Sequence, residues 1–310
     1  MLDFRQDILP MKLLKLTGLP NLLLLAFSLF IFKYGFLDRQ AGFTPALNQW
    51  QYTLFVLACV FIAAGGFFMN NVFGYGKDAN TEVSESKGYN IYIALTLIGV
   101  CLGYYIASFT GKPMYVAVFV VAAATMYIYA ISLKQTVLIS NIVVSFLMIL
   151  PIVAVGLFNI YPMLNQYNQP QLAMLFYLLL DYAYFTFIIS LIYTLINDLA
   201  HADADYNAGI DTLPILLGRA RAQKIVLVFS LLPLGLLFFY GNEYFQDLLI
   251  AAGYTLLFIV APLIYFLLKL WNATTEKDFE HLEKVLKVVL FFTALSIAVI
   301  TFNIQYNVKG

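Results

Sequence analysis

Asn197-Asp198-Leu199-Ala200-His201-Ala202-Asp203-Ala204-Asp205-Tyr206-Asn207-Ala208-Gly209-Ile210-Asp211-Thr212-Leu213-Pro214 closes one of the most apolar runs of the chain with a crowd of acids. If the preceding helix continues through it at about 100° per residue, Asp198, His201 and Asp205 share one face and Asp203 turns away. Two carboxylates and an imidazole then face a common cavity. Repelling acids at a membrane boundary are tolerated when water or a divalent cation compensates them. Hard oxygen ligands suit Mg2+, which commonly links carboxylates to substrate phosphates. The stretch therefore reads as a diphosphate site, and the competing reading is a solvated loop between helices.

Outward from this stretch, the composition is that of an integral membrane protein. Of 310 residues, 62% are hydrophobic and 11% charged, and the mean hydropathy of +0.85 exceeds that of an ordinary soluble domain. A formal net charge of zero offers no basic field for nucleic acid. The cysteines are Cys59 and Cys101 alone, which excludes a disulfide framework or a cysteine-rich metal site; both lie in apolar runs and read as packing residues. Asp3, Asp7 and Pro10 precede the first apolar run, unlike a cleavable signal peptide.

Apolar runs of about 20 residues, enough for a bilayer, fall at 18–37, 51–73, 90–109, 113–133, 137–158, 172–198, 224–241, 247–271 and 285–305. Nine spans are expected, or eight if the short seventh is discounted. The chain shows no fixed-period repeat and no low-complexity linker, so residues 1–310 are expected to form a single transmembrane domain. An amino terminus in the cytoplasm gives that side thirteen Lys and Arg, against Lys33, Arg39, Lys112 and Lys309 on the other. That bias orients the chain, with the carboxyl terminus opposite, in an inner or plasma membrane. Arg219, Arg221 and Lys224 are explained by the same bias.

The same side receives a second polar helix end, Met69 to Glu82, in which Asn70, Gly74 and Asp78 stand at i, i+4 and i+8 with Asn71 beside them. The polar ends of spans two and six are expected to meet and grip one phosphorylated headgroup. A third charged stretch, Glu276 to Lys284, reads as the solvated first turns of span nine, with acids at a helix amino end. Asp181, four to five turns before Asp198, is expected near the outer interface.

These residues resemble the UbiA superfamily of intramembrane prenyltransferases, which look like bundles of nine transmembrane helices with aspartate-rich motifs after helices two and six. The second motif, Asp-x-x-Asp-x-x-x-Asp followed by Gly-x-x-Thr-Leu-Pro, maps onto Asp198, His201 and Asp205, then Gly209 and Thr212-Leu213-Pro214. Leu16-Thr17-Gly18-Leu19-Pro20-Asn21 looks like the start of the family's first helix. Tyr129 to Lys134, with Asn141 after it, is similar to the link between helices four and five, and Leu217 to Lys224 fits the run into helix seven. The first motif departs: Asn70, Asn71, Gly74 and Asp78 stand where the family has Asn, Asp, Asp and Asp. Tyr193, Thr194 and Asn197 replace an Arg-Glu pair and a Lys, Gly18 replaces an arginine, and His201 replaces the middle aspartate of motif two.

The resemblance implies transfer of an isoprenoid chain from a prenyl diphosphate to a hydrophobic acceptor, with Mg2+ neutralising the charge that builds on the leaving oxygens. It implies Asp78, Asp198 and Asp205 as catalytic metal ligands. Asn70, Asn71, Lys134, His201, Tyr193 and Asn197 are the substrate contacts, Lys134 as a point charge and His201 as a hydrogen-bonding group to phosphate or, equally, a ligand to a metal softer than Mg2+. Tyr182, Tyr184, Phe185, Phe187 and Tyr193 line the approach, where ring faces stabilise a cation or simply pack. The missing acids motivate an alternative, a catalytically silent binder of an isoprenoid lipid or partner. Intramembrane acids motivate a third, an ion-coupled transporter, although paired broken helices in two corresponding halves are not evident.

Overall fold

The structure, a computed structural model, describes residues 16–73, 85–244 and 248–309. Among them every regular element is helical, and nine helices are long and apolar enough to cross a membrane: Leu19–Arg39, Gln49–Val72, Ser86–Phe109, Pro113–Ile131, Ile139–Met163, Gln169–Ala200, Arg219–Gly241, Leu249–Asn272 and Glu276–Asn307. The all-α, polytopic fold expected from hydropathy is what forms, and each expected run has its helix. The third and ninth helices begin earlier than their apolar runs. Polar first turns remain helical when capped: Thr275 N–H donates to Asp278 Oδ2 at 2.8 Å, and the Asp278 N–H returns to Thr275 Oγ1 at 3.3 Å.

The α-helices are α1 (Leu19–Phe30), α2 (Gln49–Phe73), α3 (Glu85–Phe109), α4 (Val116–Ile131), α5 (Ile139–Asn159), α6 (Gln169–Ala200), α7 (Ala202–Asn207), α8 (Leu213–Leu217), α9 (Arg219–Phe229), α10 (Leu232–Tyr244), α11 (Leu249–Thr255), α12 (Ala261–Asn272) and α13 (Glu276–Lys309). Contacts divide the chain into two compact units, residues 1–29 with 46–134, and residues 30–45 with 135–310.

In the first unit, α2, α3 and α4 pack closely because small residues and hydrogen bonds supply what the hydrophobic effect cannot supply within lipid. A Cβ at Gly99 would stand 2.6 Å from Ile62 Cγ1 and 3.0 Å from the Ala58 carbonyl, so this crossing of α3 over α2 requires glycine. The buried Tyr92 hydroxyl donates to the Ala123 carbonyl of α4 at 3.0 Å. Cys59 is buried, whereas Cys101 is exposed and does not pack as expected. An apolar surround read from sequence does not distinguish a helix interior from lipid.

The second unit is built around α6 and α13. Ile189, Ile192, Ile196 and Leu199 are fully buried at i, i+3, i+7 and i+10, one stripe of α6. They belong to a core with Val226 of α9, Phe266 of α12, and Phe279, Leu286 and Val289 of α13. The Tyr182 hydroxyl and Ser296 Oγ meet at 2.7 Å between α6 and α13. After α1 the first span continues as a π-helical segment, Ile31–Phe36, where a Cβ on Gly35 would come within 2.6 Å of Ala298 Cβ on α13. Lys33 in that segment is 3% exposed, its ammonium 3.0 Å from Asp38 Oδ1. With 32 residues, α6 is about 48 Å long against a hydrocarbon layer of about 30 Å. Its terminal turns therefore extend beyond the apolar layer, and the acids follow there.

Candidate functional site

The helix that carries Asp198 does not continue. α6 ends at Ala200, His201 leaves helical geometry at φ −103° and ψ 13°, and the six-residue α7 follows. The common face expected for Asp198, His201 and Asp205 presupposed an unbroken helix, so helical phase does not place them together. The Asn197 carbonyl keeps the last helical bond, to the His201 backbone N–H at 3.0 Å, and also lies 3.0 Å from the His201 ring Nδ1. α7 then ends in a Schellman turn. The Ile210 N–H reaches the Asp205 carbonyl at 3.0 Å, the Gly209 N–H reaches the Tyr206 carbonyl at 3.2 Å, and Gly209 adopts φ +71°. The Gly-x-x-Thr-Leu-Pro run thus fixes the backbone of Asp205, after which Pro214 opens α8 in its first turn.

The half-buried Asp198 is held from the neighbouring helix: Asn141 Nδ2 donates to Asp198 Oδ2 at 2.9 Å. Asn141 is itself buried, in the first turn of α5. That helix begins at a tight reversal in which the Ile139 N–H reaches the Val137 carbonyl at 2.8 Å and Leu138 takes φ 63°, strained for a side-chain-bearing residue. Asp205 is half-buried and Asp203 exposed; Asp203 meets the Arg219 guanidinium at 3.3 Å, a surface pair of small energetic weight.

The final helix supplies groups to the same turns of α6. Asn197 Nδ2 donates to Glu283 Oε1 at 2.9 Å. The His201 ring Nδ1 stands 4.0 Å from the same oxygen, and the Glu283 side chain is only 13% exposed. One turn along, the Lys287 ammonium sits 5.4 Å from the Tyr193 ring centroid. The Glu276 to Lys284 stretch is therefore not uniformly a solvated face: Glu283 turns inward because α13 continues as a helix through the charged turns and brings every fourth residue back to α6.

In the first unit, Asn70 is half-buried, and its Oδ1 takes no hydrogen bond among the described residues; Asn71 Nδ2 donates to the Leu16 carbonyl at 2.8 Å. Lys134 is half-buried in the short helix Leu133–Gln135. Asp78 lies outside the described residues. Of the aromatic residues, Tyr182 is buried on Ser296, Tyr184 is exposed, and Phe187 packs edge-on against Phe146. Asp181 lies twelve residues into α6, about 18 Å from its start. It accepts the Tyr240 hydroxyl at 2.9 Å.

Among the described residues no group of three His, Cys, Asp or Glu forms a ready metal cage. Mg2+ needs no such cage, since one or two carboxylates, water and substrate phosphates complete its shell. Asp198, with one oxygen oriented by an amide, and Asp205, nearby in sequence, offer hard oxygen donors of the kind that fits it. No thiolate belongs to this pair, so it fits Mg2+ better than a thiophilic metal.

The sequence model of the UbiA prenyltransferase family matches residues 26–295. Digeranylgeranylglyceryl phosphate synthase of Methanosphaera stadtmanae is 24% identical over 241 residues, covering 74% of this chain and 79% of that protein. A solved structure of digeranylgeranylglyceryl phosphate synthase superposes with a TM-score of 0.62 at 17% identity, over 93% of this chain and 97% of its own. A UbiA homologue from Archaeoglobus fulgidus, solved with DMAPP and Mg2+, gives 0.59 at 16% identity, over 92% and 99%.

Proposed function

Because this chain belongs to the UbiA prenyltransferase family, we propose that it transfers an isoprenoid chain from a prenyl diphosphate to a lipid-soluble acceptor, with Mg2+. The observation that carries this reading is the Asn141–Asp198 hydrogen bond at 2.9 Å. A carboxylate at the end of a membrane helix is fixed by a buried amide from the next helix, which orients it for a ligand rather than for solvent. The DMAPP and GPP held with Mg2+ by the archaeal homologues support the ligand class.

Asp198 and Asp205, and by sequence Asp78, are the residues that would hold the metal. Bound there, Mg2+ would neutralise charge developing on the leaving diphosphate. Asn141 holds the Asp198 carboxylate in its ligating orientation. Gly209 and the turn it closes hold the Asp205 backbone, and Asn70, Asn71, Lys134, His201, Tyr193 and Asn197 are proposed to contact substrate. The apolar helices exclude water from the allylic cation, so that it reaches the acceptor rather than being hydrolysed. We place the site on the cytoplasmic side of an inner or plasma membrane.

A second reading, binding of an isoprenoid lipid without turnover, is favoured by one observation. Asn71 stands where the family carries an acid, and its amide is bonded to the Leu16 carbonyl. One assay separates the two: purified protein with radiolabelled prenyl diphosphates of several lengths and Mg2+, followed for diphosphate release with and without acceptors. Release abolished by Asp198→Ala or Asp205→Ala supports transfer. Mg2+-independent lipid binding without release supports the second reading.

A further inference from the structure

We propose that Lys287 is a phosphate-binding residue, supplied by the last helix to a stretch of α6 that carries no cation of its own. The proposal rests on the prenyl diphosphate reading and adds a residue to it.

The geometry is a ladder between two helices. On α6, Tyr193 and Asn197 stand at i and i+4, with His201 capping the helix end; on α13, Lys287 and Glu283 stand four residues apart and meet them in antiparallel register. The outer rung is closed: Glu283 Oε1 accepts the Asn197 amide at 2.9 Å and has the His201 ring 4.0 Å away. The inner rung is open on one side. The Lys287 ammonium faces the Tyr193 ring at 5.4 Å; the Glu283 carboxylate one turn away acts on it electrostatically, but among the described residues no carboxylate oxygen lies within 4.0 Å of it, and that carboxylate is already bonded to Asn197.

That ammonium belongs to a half-buried residue eleven positions into a membrane-crossing helix, about 16 Å along its axis. A cation at such a place loses hydration that an aromatic face only partly replaces, so it calls for an anion. Tyr193 is five residues from Asp198, about 8 Å along the axis of α6, which sets the cation one to two turns inward of the acid. An anion held by metal at Asp198 and extending into the membrane meets an ammonium there. Phosphate suits a lysine, a compact point charge with three rotatable donors. The tyrosine ring and neutral amide of α6 leave Lys287 without a competing cation on these rungs. Phosphate oxygens can come from the prenyl diphosphate or from a phosphorylated acceptor lipid, and both present the same chemistry to Lys287.

The test uses the full chain in phosphatidylcholine nanodiscs with Mg2+, titrated with radiolabelled geranyl S-thiolodiphosphate, which does not ionise readily, and separately with dodecyl phosphate. Lys287→Met keeps the stem over Tyr193 and removes the charge, and Lys287→Gln repeats the measurement should the first variant not be monodisperse. A loss of about ten- to a hundredfold in affinity, largely restored in Lys287→Arg, supports the proposal. Loss confined to the thiolodiphosphate identifies the prenyl donor as the source, and loss confined to dodecyl phosphate identifies the acceptor. Wild-type affinity for both probes in the neutral variants overturns the proposal while leaving the prenyl diphosphate reading intact. A wild-type protein that binds neither probe overturns both.

Discussion

Asn141 carries the heaviest burden of any single side chain near the acids, because it is buried and its amide ends on Asp198. Asn141→Leu removes that hydrogen bond, at about 1–3 kcal/mol. Diphosphate release is expected to fall by about ten- to a hundredfold, while the solubilised protein stays monodisperse; unchanged turnover would contradict the role given to Asn141. Gly209 is the second sensitive point. Its φ of +71° disfavours any Cβ by about 1–2 kcal/mol, so Gly209→Val should shift the turn that bonds the Asp205 carbonyl. The expected signature is a raised Mg2+ requirement with a lowered melting temperature, and a variant with wild-type Mg2+ dependence would separate the turn from the site. Asp198 was legible in the sequence because acids at the end of an apolar run violate the local pattern. Asn141 showed only through a family resemblance, since its partner is 57 residues away and a lone asparagine in an apolar run has no periodic signature. Glu283 was misread because a charged first turn looks the same whether one of its acids faces water or a neighbouring helix.

At the scale of elements, close helix approach is the property most open to test. Gly35→Ala would put a methyl 2.6 Å from Ala298 Cβ, and overpacking of this kind costs about 1–3 kcal/mol. Gly253→Ala in α11 meets nothing within 4 Å and should be neutral or stabilise by about 0.5–1 kcal/mol through helix propensity. Thermal unfolding in one detergent compares the two, and equal melting temperatures would contradict the packing described between the first span and α13. Hydropathy found every span, since a run of about 20 apolar residues has few other uses. It did not find the break after Ala200, because no proline or glycine marks it in the sequence.

At the scale of the molecule, the distribution of Lys and Arg predicts an orientation that labelling can read. A cysteine at Gly111 should react with a membrane-impermeant maleimide in intact cells, and a cysteine at Asp203 only after permeabilisation. The reverse pattern would overturn the cytoplasmic placement of the acids. The fold was legible because nine apolar runs and one spaced acidic motif are specific together, and the family model matches residues 26–295. The chemistry was less legible, since the amide that holds Asp198 comes from a helix 57 residues away in sequence. The central claim is that Asp198 and Asp205 hold a divalent metal against a prenyl diphosphate. Its most direct measurement is electron–nuclear double resonance of Mn2+ substituted for Mg2+, with geranyl S-thiolodiphosphate bound. The wild-type protein is expected to show bound Mn2+ coupled to 31P, and Asp198→Asn and Asp205→Asn to lose that coupling together with the bound ion. An undiminished phosphorus-coupled Mn2+ signal in both variants would contradict the account.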